Sequence, residues 1–140
     1  MFYNNAQDTR QAFYQSWQKY RSQERLSSLE QQLVQVIIEH PEYQKILEQN
    51  HLDHPYFPEM GQTNPFLHMG LHLAIRDQIN TDRPIGISSV YRQLLHKYID
   101  PLIVEHLMLD RLAESLWQAQ RTQSCPNEND YLCALKRLLI

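Results

Sequence analysis

His68 and His72 stand four residues apart, and His106, Asp110 and Glu114 repeat the same interval further along the chain. On an α-helix a four-residue step advances only about 40° round the axis, so each set lies along one ridge. His68 and His72 share their stripe with Leu71, Ile75 and Ile79, which predicts two imidazoles directed inward. His106, Asp110 and Glu114 flank Leu102, Leu109 and Ala113, and are expected to border the core as a second polar ridge. His40 falls beside Leu33, Val36 and Ile37 while its neighbour Glu39 turns away, so a third helix offers an inward imidazole. Imidazoles and carboxylates from facing helices suit zinc, iron, manganese, nickel or copper in a bundle interior. The candidate ligands are His68, His72, His106 and Asp110, with His40 and Glu114 as further ligands or as groups that orient the imidazoles.

Several familiar chemistries are excluded by what stands between these residues. A zinc protease of the HExxH type needs a Glu directly after its first His, and here Met69, Gly70 and Leu71 fill the interval. The ExxH pair of ferritin-like di-iron proteins is missing, and His106 to Asp110 is one residue shorter than the HxxxxD spacing of hemerythrin. Ser88 and Ser89 lie in no GxSxG elbow, neither cysteine stands in a Cys–His arrangement, and no phosphate loop or GxGxxG occurs. His51, Asp53 and His54 sit in a Pro-bounded stretch read as a solvated loop. The competing reading of the main cluster is structural: inward histidines hydrogen-bonded within the core, and Asp110 and Glu114 paired with Arg76, Arg111 or Arg121. The chain is then a non-catalytic interaction module whose surface takes a protein partner or a second copy of itself.

The elements that must position these residues are legible from punctuation. With 140 residues, 42% apolar and 21% charged, the chain is expected to form one helical domain over 1–140. Phe13, Trp17 and Tyr20 give a first helix, over about Gln7 to Tyr20, an aromatic docking stripe. Ser27 or Ser28 caps a second, with Leu29, Leu33, Val36 and Ile37 on one face before Pro41, and Glu42 to Glu48 adds a turn or two. Asn64-Pro65 opens a third helix running to about Ile79, apolar on several faces through Phe66, Leu67, Leu71, Leu73, Ala74 and Ile75, and expected to be the most buried. Ile87 to Tyr98 follows, then Asp100-Pro101 opens the longest helix, to about Arg121, with Trp117 read as core aromatic. Asp130 to Leu139 closes an all-α bundle of five to six helices.

Composition narrows the partners. Thirteen Lys and Arg against sixteen Asp and Glu give a formal charge of −3, which supplies no overall drive toward nucleic acid, and Arg21, Arg25, Lys136 and Arg137 are scattered. No apolar run approaches the roughly 18 to 20 residues that span a bilayer. Met1 to Asn5 lacks the basic start and apolar stretch of a secretory signal, so a cytoplasmic location is expected. Cys125 and Cys133, eight residues apart, form no CxxC pair and are read as reduced thiols.

The run Gly61-Gln62-Thr63-Asn64-Pro65-Phe66-Leu67-His68, continuing through Leu71-His72-Leu73-Ala74-Ile75, resembles the bacterial family called domain of unknown function 1841. His40-Pro41-Glu42-Tyr43 and the stretch from His106 to Leu116-Trp117-Gln118-Ala119-Gln120-Arg121 carry the same resemblance, which extends over nearly the whole chain. It implies no activity. It does imply that the candidate ligands fall inside the family's motif segments, with Asp110 standing where relatives are expected to carry the longer Glu.

Overall fold

A computed structural model describes residues 6–49 and 64–140. The loop expected over His51 to Thr63, with His51, Asp53 and His54, lies outside them. The described residues are helical: α1 (Ala6–Arg21), α2 (Ser28–Ile38), a 3₁₀ turn (Pro41–Tyr43), α3 (Gln44–Gln49), α4 (Pro65–Thr81), α5 (Ile87–Tyr98), α6 (Pro101–Thr122) and α7 (Glu128–Arg137). Seven α-helices are one more than expected. The addition is α3, whose six residues are too few to display a 3.6-residue period. Backbone packing divides the chain into two compact units, Met1–Leu73 and Ala74–Ile140, with the boundary inside α4.

The first unit is built on aromatic packing. Phe13, Tyr14 and Trp17 of α1 are buried with Leu33, Val34, Val36 and Ile37 of α2, Leu47 of α3, and Phe66, Met69 and Leu73 of α4. Each large apolar side chain so buried contributes about 1.5–3 kcal/mol. The Phe66 ring lies 6.1 Å from Phe13 and 5.7 Å from Tyr14, and the Tyr14 hydroxyl donates to the Ile46 carbonyl at 3.1 Å, tying α1 to the segment after the 3₁₀ turn. The stripe of α1 is therefore Phe13, Tyr14 and Trp17. Tyr20, expected on it, is half exposed and stacks on Trp17. The Trp17 indole N–H is buried and meets no acceptor among the described residues.

Local chemistry sets the ends of these helices. Ser27 caps α2 by a reciprocal box, its hydroxyl accepting from the Glu30 amide while the Glu30 carboxylate accepts from the Ser27 amide. Lys19 bonds the same carboxylate and, with Ser27, holds it down to about 2. Leu29, in the first turn of α2, is half exposed rather than part of the buried face. Asn64 opens α4 as its residue type demands: its side-chain oxygen accepts from the amides of Phe66 and Leu67, and Pro65 needs no donor in the first turn. Leu67 points away from that helix's buried side and is 58% exposed.

In the second unit α5, α6 and α7 pack on one another. Asp82 precedes α5 and accepts from the amides of Gly86 and Ser88, bonds that hold its carboxyl below the usual range. Gly86 takes φ +101°, a conformation open to glycine at little cost. Asp100 caps α6 through the Leu102 amide, and Asn127 caps α7 through the Asp130 amide. Buried residues include Ile87, Val90 and Leu94 of α5, Val104, Met108, Leu109 and Leu112 of α6, and Tyr131 and Leu135 of α7. The Tyr131 hydroxyl donates to Gln78 at 2.8 Å, and burial pushes its pKa up. Among the described residues no helix is long and apolar enough to cross a membrane.

Trp117 is not core. At 100° per residue the buried positions of α6, Val104, Glu105, Met108, Leu109 and Leu112, share a mean direction from which Trp117 lies about 150° away. It is 51% exposed, with the Arg121 guanidinium 4.7 Å from its ring.

Candidate metal centre

The first unit brings three histidines to one place. His68 and His72 occupy one ridge of α4, whose register is fixed by the Asn64 cap and by Phe66, Met69 and Leu73 locking into the aromatic core. His72 is wholly buried and His68 half-buried, and their Nε2 atoms are 3.2 Å apart. His40 arrives from the other side of the sequence. It follows the last turn of α2 and precedes Pro41, which keeps it out of the helical region, at φ −127° and ψ 70°, and turns the chain into the 3₁₀ segment.

His40 is 5% exposed, with its ring centre 4.8 Å from that of His72 and 5.1 Å from that of His68. Its Nδ1 donates to the Val36 carbonyl at 2.8 Å, a bond that selects the tautomer with the lone pair on Nε2. A backbone carbonyl that accepts from the far ring nitrogen in this way commonly orients metal-binding imidazoles. Tyr43 lies parallel to His40, ring centres 5.5 Å apart and planes within 4°, and presents its edge to His68 at 6.0 Å. Burial raises the pKa of Tyr43.

The donor set fits a transition metal. The three ligand nitrogens lie within 4.8 Å of one another. Metal–nitrogen bonds of about 2.0–2.1 Å in a tetrahedral shell set neighbouring nitrogens about 3.3–3.4 Å apart. The 3.2 Å between His68 and His72 is already close to that span. The same distance also suits one Nε2–H donating to the other nitrogen, so the pair is chemically competent as a hydrogen bond or as two ligands.

The ridge on α6 is differently placed. His106, Asp110 and Glu114 lie about 130° to 170° from the buried direction of that helix, and all three are exposed. The expectation that they border the core is corrected accordingly. The apolar stripe actually used runs through Val104, Met108, Leu109 and Leu112, so of the expected Leu102, Leu109 and Ala113 only Leu109 belongs to it. His106 donates from Nδ1 to the Leu102 carbonyl at 2.8 Å, one turn back, as His40 does to Val36. Glu114 accepts from Gln118 and lines a groove of about 890 Å³ between α6 and α7, together with Arg111, Arg137 and the free thiols of Cys125 and Cys133. Neither Asp110 nor Glu114 joins a metal-competent group among the described residues.

The buried acid of α6 is Glu105, which the spacing argument passed over. It takes a forked bond from Arg76 of α4, with N–O distances of 3.1–3.2 Å. Arg76 was expected to serve Asp110 or Glu114. Glu105 stands one residue after Val104 and three before Met108, so a search of that stripe for a polar member would have found it. Tyr43 was also passed over, although it closes the His40-Pro41-Glu42-Tyr43 motif.

No curated protein and no solved structure matches the chain. One family's sequence profile, described as Domain of unknown function (DUF1841), matches residues 5–137 and so takes in every described histidine. The chain belongs to that family.

Proposed function

We propose that this protein binds a divalent transition-metal ion through His40, His68 and His72. The observation that carries the reading is the convergence, within 4.8 Å, of three imidazole nitrogens from α4 and from the junction after α2, with His40 held in the tautomer that a ligand needs. Imidazole donors with no thiolate favour zinc, nickel, copper or iron over calcium or magnesium. Two free, exposed cysteines suit a protein that works in the reducing cytoplasm.

Elemental analysis by mass spectrometry on protein purified without chelator or added metal tests this. Near-stoichiometric metal, lost in His72→Gln, is the expected result. Metal-free protein that also fails to bind zinc, nickel, copper or iron on titration overturns it.

The 3.2 Å contact between His68 and His72 favours one second reading, a structural hydrogen-bond pair in an interaction module. The two readings part under a chelator. A structural pair makes His68→Gln destabilising with or without chelator, whereas a ligand pair makes it destabilising only when metal is present.

A further inference from the structure

Three imidazoles bring a metal ion no negative charge. Two of them, His40 and His72, are buried, and no Asp, Glu or Cys completes a metal-competent group with them among the described residues. A divalent ion held there keeps its full double charge in surroundings that screen it weakly. Something from solution must offset that charge. His68 alone of the three is half-exposed, beside the exposed Leu67, so the approach from solution is at His68 while His40 and His72 are enclosed.

We infer that the ion's remaining coordination position takes a small monovalent anion, which enters past His68 and displaces water from the metal. This rests on the metal reading above and adds to it the chemical class of the ligand. Charge sets the preference for an anion over a neutral donor, and the buried flanks at His40 and His72 set the size limit. Coupling runs both ways, so an anion that binds the ion also tightens the protein's hold on the ion.

The test uses the full chain loaded with one equivalent of cobalt(II), whose visible absorption reports its coordination shell, titrated with sodium azide. A saturable azide-dependent shift of the cobalt bands is expected, together with a roughly tenfold tighter retention of cobalt against a competing chelator. The shift is expected to vanish in His68→Ala and to persist in His96→Ala, a substitution at an exposed histidine on α5. His68→Gln replaces His68→Ala if the latter does not fold. Cobalt that binds but whose bands azide does not move overturns this inference and leaves the metal reading standing. Failure to bind cobalt overturns both. A shift that survives the loss of His68 places the cobalt elsewhere and overturns the inference.

Discussion

His68 and His72 on α4 and Asp110 and Glu114 on α6 obey the same four-residue spacing, yet they meet opposite environments. The α4 pair lies on the flank of a helix whose other residues lock into an aromatic core, so its imidazoles are drawn inside and face one another. Asp110 and Glu114 lie opposite the buried stripe of their helix and are exposed. Spacing makes a ridge. Which side of the ridge is dry depends on where the largest apolar side chains fall, and on α6 those are Val104, Met108 and Leu112. The charged partner that does go inside, Glu105, goes with a forked arginine. A polar group is thus admitted on either helix only with a partner already in place.

The largest expected effect separates the two ridges by metal affinity. Loss of His40 or His72 should weaken zinc binding by more than the roughly 10- to 100-fold that removing an outer-shell partner costs. Asp110→Asn and Glu114→Gln should leave it within about twofold. Isothermal titration calorimetry with zinc measures both, and equal losses on the two ridges would erase the contrast.

Next in size is the contrast between two acids on α6. Removing one member of a buried ion pair costs about 3–5 kcal/mol, and because the Arg76 side chain is 25% exposed we expect about 2 kcal/mol for Glu105→Ala. Asp110→Ala should stay within about 0.5 kcal/mol. Chemical denaturation of the two variants compares them directly. A cost at Asp110 matching that at Glu105 would show that exposure does not govern the acids of this helix.

A third comparison concerns the helix cap that starts α2. Ser27→Ala removes the hydroxyl that accepts from the Glu30 amide and should cost about 1 kcal/mol, read from the thermal midpoint. The smallest effect depends on pH. The Glu30 carboxyl is held near 2 against an ordinary value near 4.5, so its contribution is complete above about 4.5 and is lost as pH falls toward 2. Wild-type protein should therefore lose more thermal stability than Glu30→Gln over that window. The difference should be modest and salt-sensitive, because Lys19, its partner, is exposed. A Glu30→Gln variant that tracks the wild type through acid would remove Glu30 from the account.

Much of this was legible beforehand where local chemistry decides. Asn64-Pro65, Asp100-Pro101 and Ser27 mark helix starts because capping needs only a side-chain oxygen and two nearby amides. His68, His72 and His40 could be read as inward because each shares its stripe with large apolar residues. The orientation of α6 was not legible, since that helix carries apolar residues on two sides and only packing chooses between them. Glu105 was hidden for the same reason: a charged residue on a buried stripe makes sense only once Arg76, 29 positions earlier, is known to reach it. Tyr43 was hidden because its parallel stack on His40 depends on a 3₁₀ turn that three residues cannot announce.

The two tryptophans occupy opposite settings, one in each unit. Trp17 is enclosed in the first unit with no acceptor for its indole N–H among the described residues, and Trp117 stands in solvent beside Arg121 in the second. An indole in a dry, apolar cage emits at shorter wavelength than one in water, so the intrinsic fluorescence of this chain holds two separable colours. The blue component belongs to the first unit and the red component to the second, and Trp117→Phe leaves the blue one alone. Loading of the histidine cluster should raise the temperature at which the blue signal is lost, with no label added.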